Sequence, residues 1–279
     1  MSAFASPVDV VTHGEYVPGD IVTFPGRVTE ATAGRYHLYG GWFCPWWHRT
    51  AITRALAGLE DIVTMSIVDG ERDGRGWAFR EQYGPDPVNG FTLLRQAYEA
   101  TQPGFRGHVS VPALWDRETG KLVSNDPKAI GLDFATAFHD VATPLIDTYP
   151  EDLRAGIEEL DTWIGPAVNR GTGPARTSGT ARETLLEAFE RLDARLSGSR
   201  HLLGDRLTEA DIRLWVTLVR YDVGANARRE INPGLHVYPH LWAYARDLYT
   251  IPAFHETTDF AAFSNPGAEL PDWSAPADR

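Results

Sequence analysis

The sequence predicts two folding units in series, an α/β unit followed by an all-helical one. Two observations carry that prediction. Short apolar runs alternate with helix-like segments up to about residue 138, and after Pro150 the strand signal ends. A third observation concerns chemistry: the chain has a single cysteine, Cys44, placed directly before a proline where a strand gives way to a helix.

The elements follow in order. Residues 1–34 carry proline, glycine and polar residues without periodicity and read as an N-terminal arm. Residues 36–40 read as a strand that Gly40-Gly41 ends, and Pro45 suits the first turn of a helix running to Leu56 or Ala57. Ile62 to Val68 is a second strand, residues 69–90 a loop, and residues 91–100 a helix. Val109 to Trp115 is a third strand interrupted by Pro112. Residues 121–124 pair back on it, and a helix follows over 127–138. The order is β-α-β-α-β-β-α, which makes residues 35–140 the first domain. Residues 139–150 form a linker.

Beyond it, apolar residues recur at helical spacing through Leu153, Ile157, Leu160 and Ile164, and again through Leu185, Phe189, Leu192 and Leu196. Thr208 and Asp211 have the spacing of a capping box. These segments define a helical domain over 150–262, with a mobile, proline-bearing tail over 263–279.

Composition excludes several classes of function. The net charge of −12 repels phosphate backbones and anionic lipid, so neither nucleic acid nor a membrane surface is expected as a partner. One cysteine permits neither an internal disulfide nor a cysteine zinc site, and suits a reducing, cytoplasmic setting. No basic segment followed by an apolar run begins the chain, and no stretch reaches the length of a membrane helix. Asp69 to Gly74 has the look of a calcium loop, but its twelfth position is Arg80, so no metal site is expected there. His236 and His240 have Pro239 between them and do not suggest a metal pair. The basic residues are nearly all arginine, with Lys121 and Lys128 the exceptions, a bias typical of GC-rich genomes.

The chemistry centres on Gly41-Trp42-Phe43-Cys44-Pro45-Trp46-Trp47-His48-Arg49. A cysteine at a helix N-terminus meets unpaired N–H groups and the positive end of the helix dipole, which favour thiolate over thiol. The thiolate is the nucleophile, and it titrates below the ~8.5 of an ordinary thiol when so placed. His48 and Arg49 add positive potential. Further along, Val111-Pro112 supplies what a thioredoxin-like site needs, a cis proline whose preceding residue brings its backbone beside the thiol.

Cys44-Pro45-Trp46-Trp47-His48-Arg49-Thr50 resembles the motif of the xi-class glutathione transferases, the glutathionyl-hydroquinone reductases. The resemblance continues at Gly76-Trp77, at Val109 to Asp116, at Val123 to Asp126, and from Leu207 to Asp222. It implies a thioredoxin-like N-terminal domain followed by a glutathione-transferase-type helical C-terminal domain, with the active site in the cleft between them. It also implies catalysis by Cys44 and thiol-cofactor contacts from Trp77, His108, Val109 and Asp126. The implied activity is removal of glutathione from conjugates of quinones or related aromatic electrophiles through a Cys44 mixed disulfide. A homodimer is implied as well. Because the chain has no second cysteine, an external thiol must complete the cycle.

The sequence departs from the family where the thiol is recognised. The expected arginine is His108, with Arg106 nearby, and the Glu-Ser pair that holds the γ-glutamyl end is Asp126-Pro127. Two family tyrosines have no counterpart. The groups lost are those that recognise carboxylates and an amine, so an actinobacterial-type member using mycothiol is one alternative to glutathione. A catalytically weakened thiol-binding protein is another. Among the aromatic residues, Trp163, Trp215 and Trp242 read as core, and Tyr221, Tyr238, Tyr244 and Tyr249 are candidates for a pocket wall.

Overall fold

The computed structural model describes residues 14–274, and the chain divides into two compact units at Leu145/Ile146. The first contains a four-stranded sheet. Strand β1 (Tyr36–Gly40) is followed by α1 (Pro45–Leu56) and β2 (Thr64–Ile67). Two two-residue strands come next, β3 (Arg72–Asp73) and β4 (Gly76–Trp77), then α2 (Arg95–Thr101), β5 (Ala113–Asp116), β6 (Lys121–Ser124) and α3 (Pro127–Thr136).

The sheet order is β2-β1-β5-β6. β1 runs parallel to β2 and antiparallel to β5, pairing Leu38 with Met65 on one side and with Leu114 on the other. All five β1 residues are buried, as a central strand covered on both faces requires. α1 and α3 pack on one another, and α2 lies against β6.

Inside this sheet His37 is buried, with ring nitrogens bonded to Thr64 Oγ1 (2.6 Å) and Ser66 Oγ (2.9 Å). Burial, helped by the charges of Arg117 and Arg54, pushes its pKa down to about 3. The unfolded chain binds that proton near ~6.5, so the stabilising effect of a neutral His37 is complete above ~6.5 and is lost as pH falls toward 3. Wild type is expected to lose about 2 kcal/mol more than His37→Gln between pH 6.5 and 5, at ~1.4 kcal/mol per pH unit. Urea denaturation of both proteins at the two pH values measures the difference, and parallel losses would refute the assignment.

Two expectations are corrected here. Residues 69–90 are not merely a loop, because they contain the β3–β4 hairpin, with Arg72 opposite Trp77 and Asp73 opposite Gly76. The turn works because Gly76 takes a φ of 102°, while Asp73 accepts the Arg75 N–H (2.8 Å) and pairs with Arg75 and Arg80. The described part of the tail is docked. Trp273 is buried, with its ring against Trp242 (4.9 Å), Tyr249 (5.6 Å) and Trp215 (6.2 Å). Residues 275–279 lie outside the described part.

The arm is likewise fixed from Gly14 onward, and residues 1–13 lie outside the described part. Pro25 bridges to Ser124 at the edge strand β6, Phe24 N–H donates to Asn125 Oδ1 (2.8 Å), and Asp20 accepts the His108 N–H (2.7 Å).

The second unit is helical: α4 (Arg154–Ile164), α5 (Gly179–Leu196), α6 (Glu209–Tyr221), α7 (Pro239–Tyr249) and the short α8 (Pro252–His255). α6 is buried along nearly its whole length. Its capping box forms as the spacing predicts, with Asp211 accepting the Thr208 N–H (2.8 Å). Trp215 donates its indole N–H to Ala245 O (2.8 Å). Tyr221 and Tyr244 are core residues rather than pocket walls, their hydroxyls donated to Asn232 (3.0 Å) and Asp211 (2.9 Å). No helix among the described residues is long and apolar enough to cross a membrane.

Candidate active site

Cys44 is the N-cap of α1, in extended conformation, with Pro45 at the first helical position. That geometry aims the first turn's N–H groups at the side chain, and the Trp47 N–H reaches the sulfur at 3.5 Å. On the other side Sγ–H donates to the Val111 carbonyl at 3.3 Å. Val111-Pro112 is a cis peptide bond. The sulfur is buried, with the residue only 7% exposed.

The chain around Gly40, just before the helix, is tightly filled. A Cβ on Gly40 would collide with the Trp47 indole, and Trp42 packs edge-on against the same ring (5.1 Å). Arg49 is buried with its guanidinium over Trp46 (4.4 Å), so its cation is committed to that ring.

The segment that brings Val111 to the sulfur, just before β5, is clamped residue by residue. His108 N–H donates to Asp20 O (2.7 Å) and Val109 N–H to the Tyr16 hydroxyl (3.1 Å). Ser110 N–H donates to the Tyr98 hydroxyl (3.2 Å), which donates in turn to the Ser110 carbonyl (2.7 Å). Two of these four clamps come from the arm. Sequence reasoning assigned the arm no part in the site, because the partners of Tyr16 and Asp20 lie some ninety residues away.

Trp77 sits on β4, buried, with Phe43 stacked on it (4.2 Å) beside Cys44. Arg72, across the hairpin, lies over Trp77 (4.5 Å) and over Tyr16 (4.5 Å). Tyr16 bonds His108 Nδ1 (3.1 Å). Burial first, and the charge of Arg72 second, lower the His108 pKa below the ordinary histidine value. Cys44, Trp77 and His108 are therefore linked through Phe43, Arg72 and Tyr16.

The backbone beside the sulfur is that of Val111, the residue preceding the cis proline, as the Val111-Pro112 pair leads one to expect. Val109, two residues earlier, has a fully buried side chain and an N–H held by Tyr16. Asp126 caps α3, accepting from Lys128 N (2.9 Å) and Ala129 N (3.4 Å), while Pro127 leaves the first helical position without an N–H. The neighbouring Asn125 reaches the Tyr98 hydroxyl (3.4 Å), which joins this turn to the clamp on Ser110.

A mixed sheet ordered β2-β1-β5-β6, a cysteine capping the helix after β1, a cis proline opposite it and a following all-helical unit together define the glutathione-transferase architecture. Known proteins agree. The model for the glutathione S-transferase C-terminal domain matches residues 151–247. Glutathionyl-hydroquinone reductase YqjG of Escherichia coli K12 is 38% identical over 247 residues, spanning 84% of this chain and 75% of that protein. Its glutathione-bound structure superposes with a TM-score of 0.82 at 34% identity, covering 90% of this chain and 89% of that one. A xi-class transferase from Natrialba magadii gives a TM-score of 0.84 at 33% identity, covering 91% and 88%. The chain belongs to the xi class of glutathione transferases and is a thiol oxidoreductase of that family.

Proposed function

We propose that this enzyme removes glutathione from glutathionyl-hydroquinones, with Cys44 as nucleophile. The thiolate attacks the conjugate's sulfur. A sulfur–sulfur bond forms as the ring carbon–sulfur bond breaks, and the electron pair leaves with the ring carbon, which takes up a proton. The hydroquinone departs and Cys44 retains glutathione as a mixed disulfide. A second glutathione thiolate attacks that disulfide, releasing glutathione disulfide and resetting Cys44. Per cycle, two sulfurs are oxidised and one aromatic C–S bond is reduced to C–H.

The observation that carries this reading is the position of Cys44, between the Trp47 N–H and the Val111 carbonyl. The N–H favours the thiolate, and the backbone flanking the sulfur is a recognition edge for the peptide bonds of a peptidic thiol. The name of the Escherichia coli relative and its glutathione-bound state support the same choice of substrate. Trp77, His108, Val109 and Asp126 are assigned to thiol binding, and Val111 flanks the sulfur.

A second reading keeps the chemistry and exchanges the thiol for mycothiol. It is favoured by Pro127, which offers neither an N–H nor a hydroxyl to a γ-glutamyl carboxylate. Intact-mass spectrometry after exposure to a glutathionyl- or a mycothiol-hydroquinone decides between them. One glutathione mass on Cys44 with hydroquinone released is the expected result. An adduct only from the mycothiol conjugate establishes the second reading, and no adduct from either reduces the protein to a thiol-binding one.

A further inference from the structure

Arg72 stands out for how its side chain is held. Its hairpin neighbour Asp73 is taken by Arg75 and Arg80, and Asp69 faces Arg80. Arg72 itself is exposed and, among the described residues, makes no ion pair or hydrogen bond through its guanidinium. What holds it is the pair of rings, Trp77 and Tyr16, each 4.5 Å from the guanidinium carbon. Packing over two rings restrains a long side chain and leaves its N–H fork available.

The surroundings narrow what that fork would meet. The Tyr16 hydroxyl is committed, accepting from Val109 N–H and bonded to His108 Nδ1. His108 is kept neutral more readily than an ordinary histidine and does not compete for an anion. Trp77 carries Phe43 on its ring, and Phe43 is the residue next to the nucleophile. The arrangement is thus a restrained cation, one ring removed from the cysteine turn, on the His108 side of the site. Asp126, acidic and on a different turn, suits an ammonium and would repel a carboxylate.

We infer that Arg72, held between Trp77 and Tyr16, binds the glycyl carboxylate of glutathione and makes this site selective for a carboxylate-bearing thiol. The inference rests on the reading of Cys44 as a glutathione-handling nucleophile and names how that thiol is selected. A planar guanidinium matches a carboxylate bidentately, which a neutral His108 cannot do.

Titration calorimetry with glutathione and with its glycyl ethyl ester, on wild type and Arg72→Gln, tests it. Wild type is expected to bind glutathione about tenfold more tightly than the ester, from one charge-assisted contact. Arg72→Gln is expected to bind both ligands alike, at the ester's wild-type level. Arg72 is exposed, so the variant folds, and circular dichroism checks that. Wild type that does not distinguish the two ligands, binds neither, or passes its preference unchanged to Arg72→Gln overturns the inference. The Cys44 adduct assay separates the two ideas: an adduct with no carboxylate preference removes the role of Arg72 alone, whereas absence of the adduct removes the reading of Cys44.

Discussion

Cys44→Ser is expected to reduce turnover of a glutathionyl-hydroquinone by about a thousandfold or more, the scale seen when a nucleophile is removed. The reaction requires a sulfur–sulfur bond, and a serine oxygen cannot supply one. No other cysteine exists in the chain to take over. The substitution should not damage the fold. Position 44 is a helix N-cap whose side chain already accepts the Trp47 N–H, and serine is among the preferred N-cap residues. The variant should therefore unfold at or slightly above the wild-type temperature while failing in the assay. Steady-state turnover and a thermal melt on the same preparation measure both. Activity above a few per cent of wild type would show that the chemistry does not pass through this sulfur.

The second large effect concerns Asp211, in the helical unit. This carboxylate is fully buried at the start of α6. Burial pushes its pKa up, and it is opposed by the Leu202 N–H (2.9 Å), the Thr208 N–H (2.8 Å) and the Tyr244 hydroxyl (2.9 Å), with the Thr208 hydroxyl a further donor (3.0 Å). Asp211→Ala would strand these donors in a dry interior and abolish the capping box. Each stranded donor costs about 1–3 kcal/mol and the cap about 1, with partial relaxation, so a loss of about 4 kcal/mol is expected. Asp211→Asn keeps one acceptor oxygen and should lose roughly half as much. Urea denaturation gives both values. A loss under about 1 kcal/mol for the alanine variant would mean that water replaces the carboxylate.

The two residues differ in how they could be found. Asp211 was legible as a cap because its partner Thr208 is three residues away, although Leu202 and Tyr244, which make it indispensable, were not. Cys44 was legible because the signals for helix initiation are local: a strand end, two glycines, a cysteine and a proline mark the N-cap within a few residues. The two-residue strands β3 and β4 were not legible, since a hairpin this short lacks alternation to read. The docking of Trp273 was hidden by the prolines around it, which describe backbone propensity and say nothing about a ring finding a cluster of rings.

The sequence by itself determined the order of the longer elements, the single cysteine and its place at a helix N-terminus. Each of these depends on residues close together in the chain or on a count. Only the tertiary structure decided that the arm clamps residues 108 and 109 through Asp20 and Tyr16, and that Arg72 lies between two rings beside the site. These contacts join residues that backbone propensity does not couple. They form because burying rings and pairing buried N–H groups is favourable wherever the folded chain brings them together.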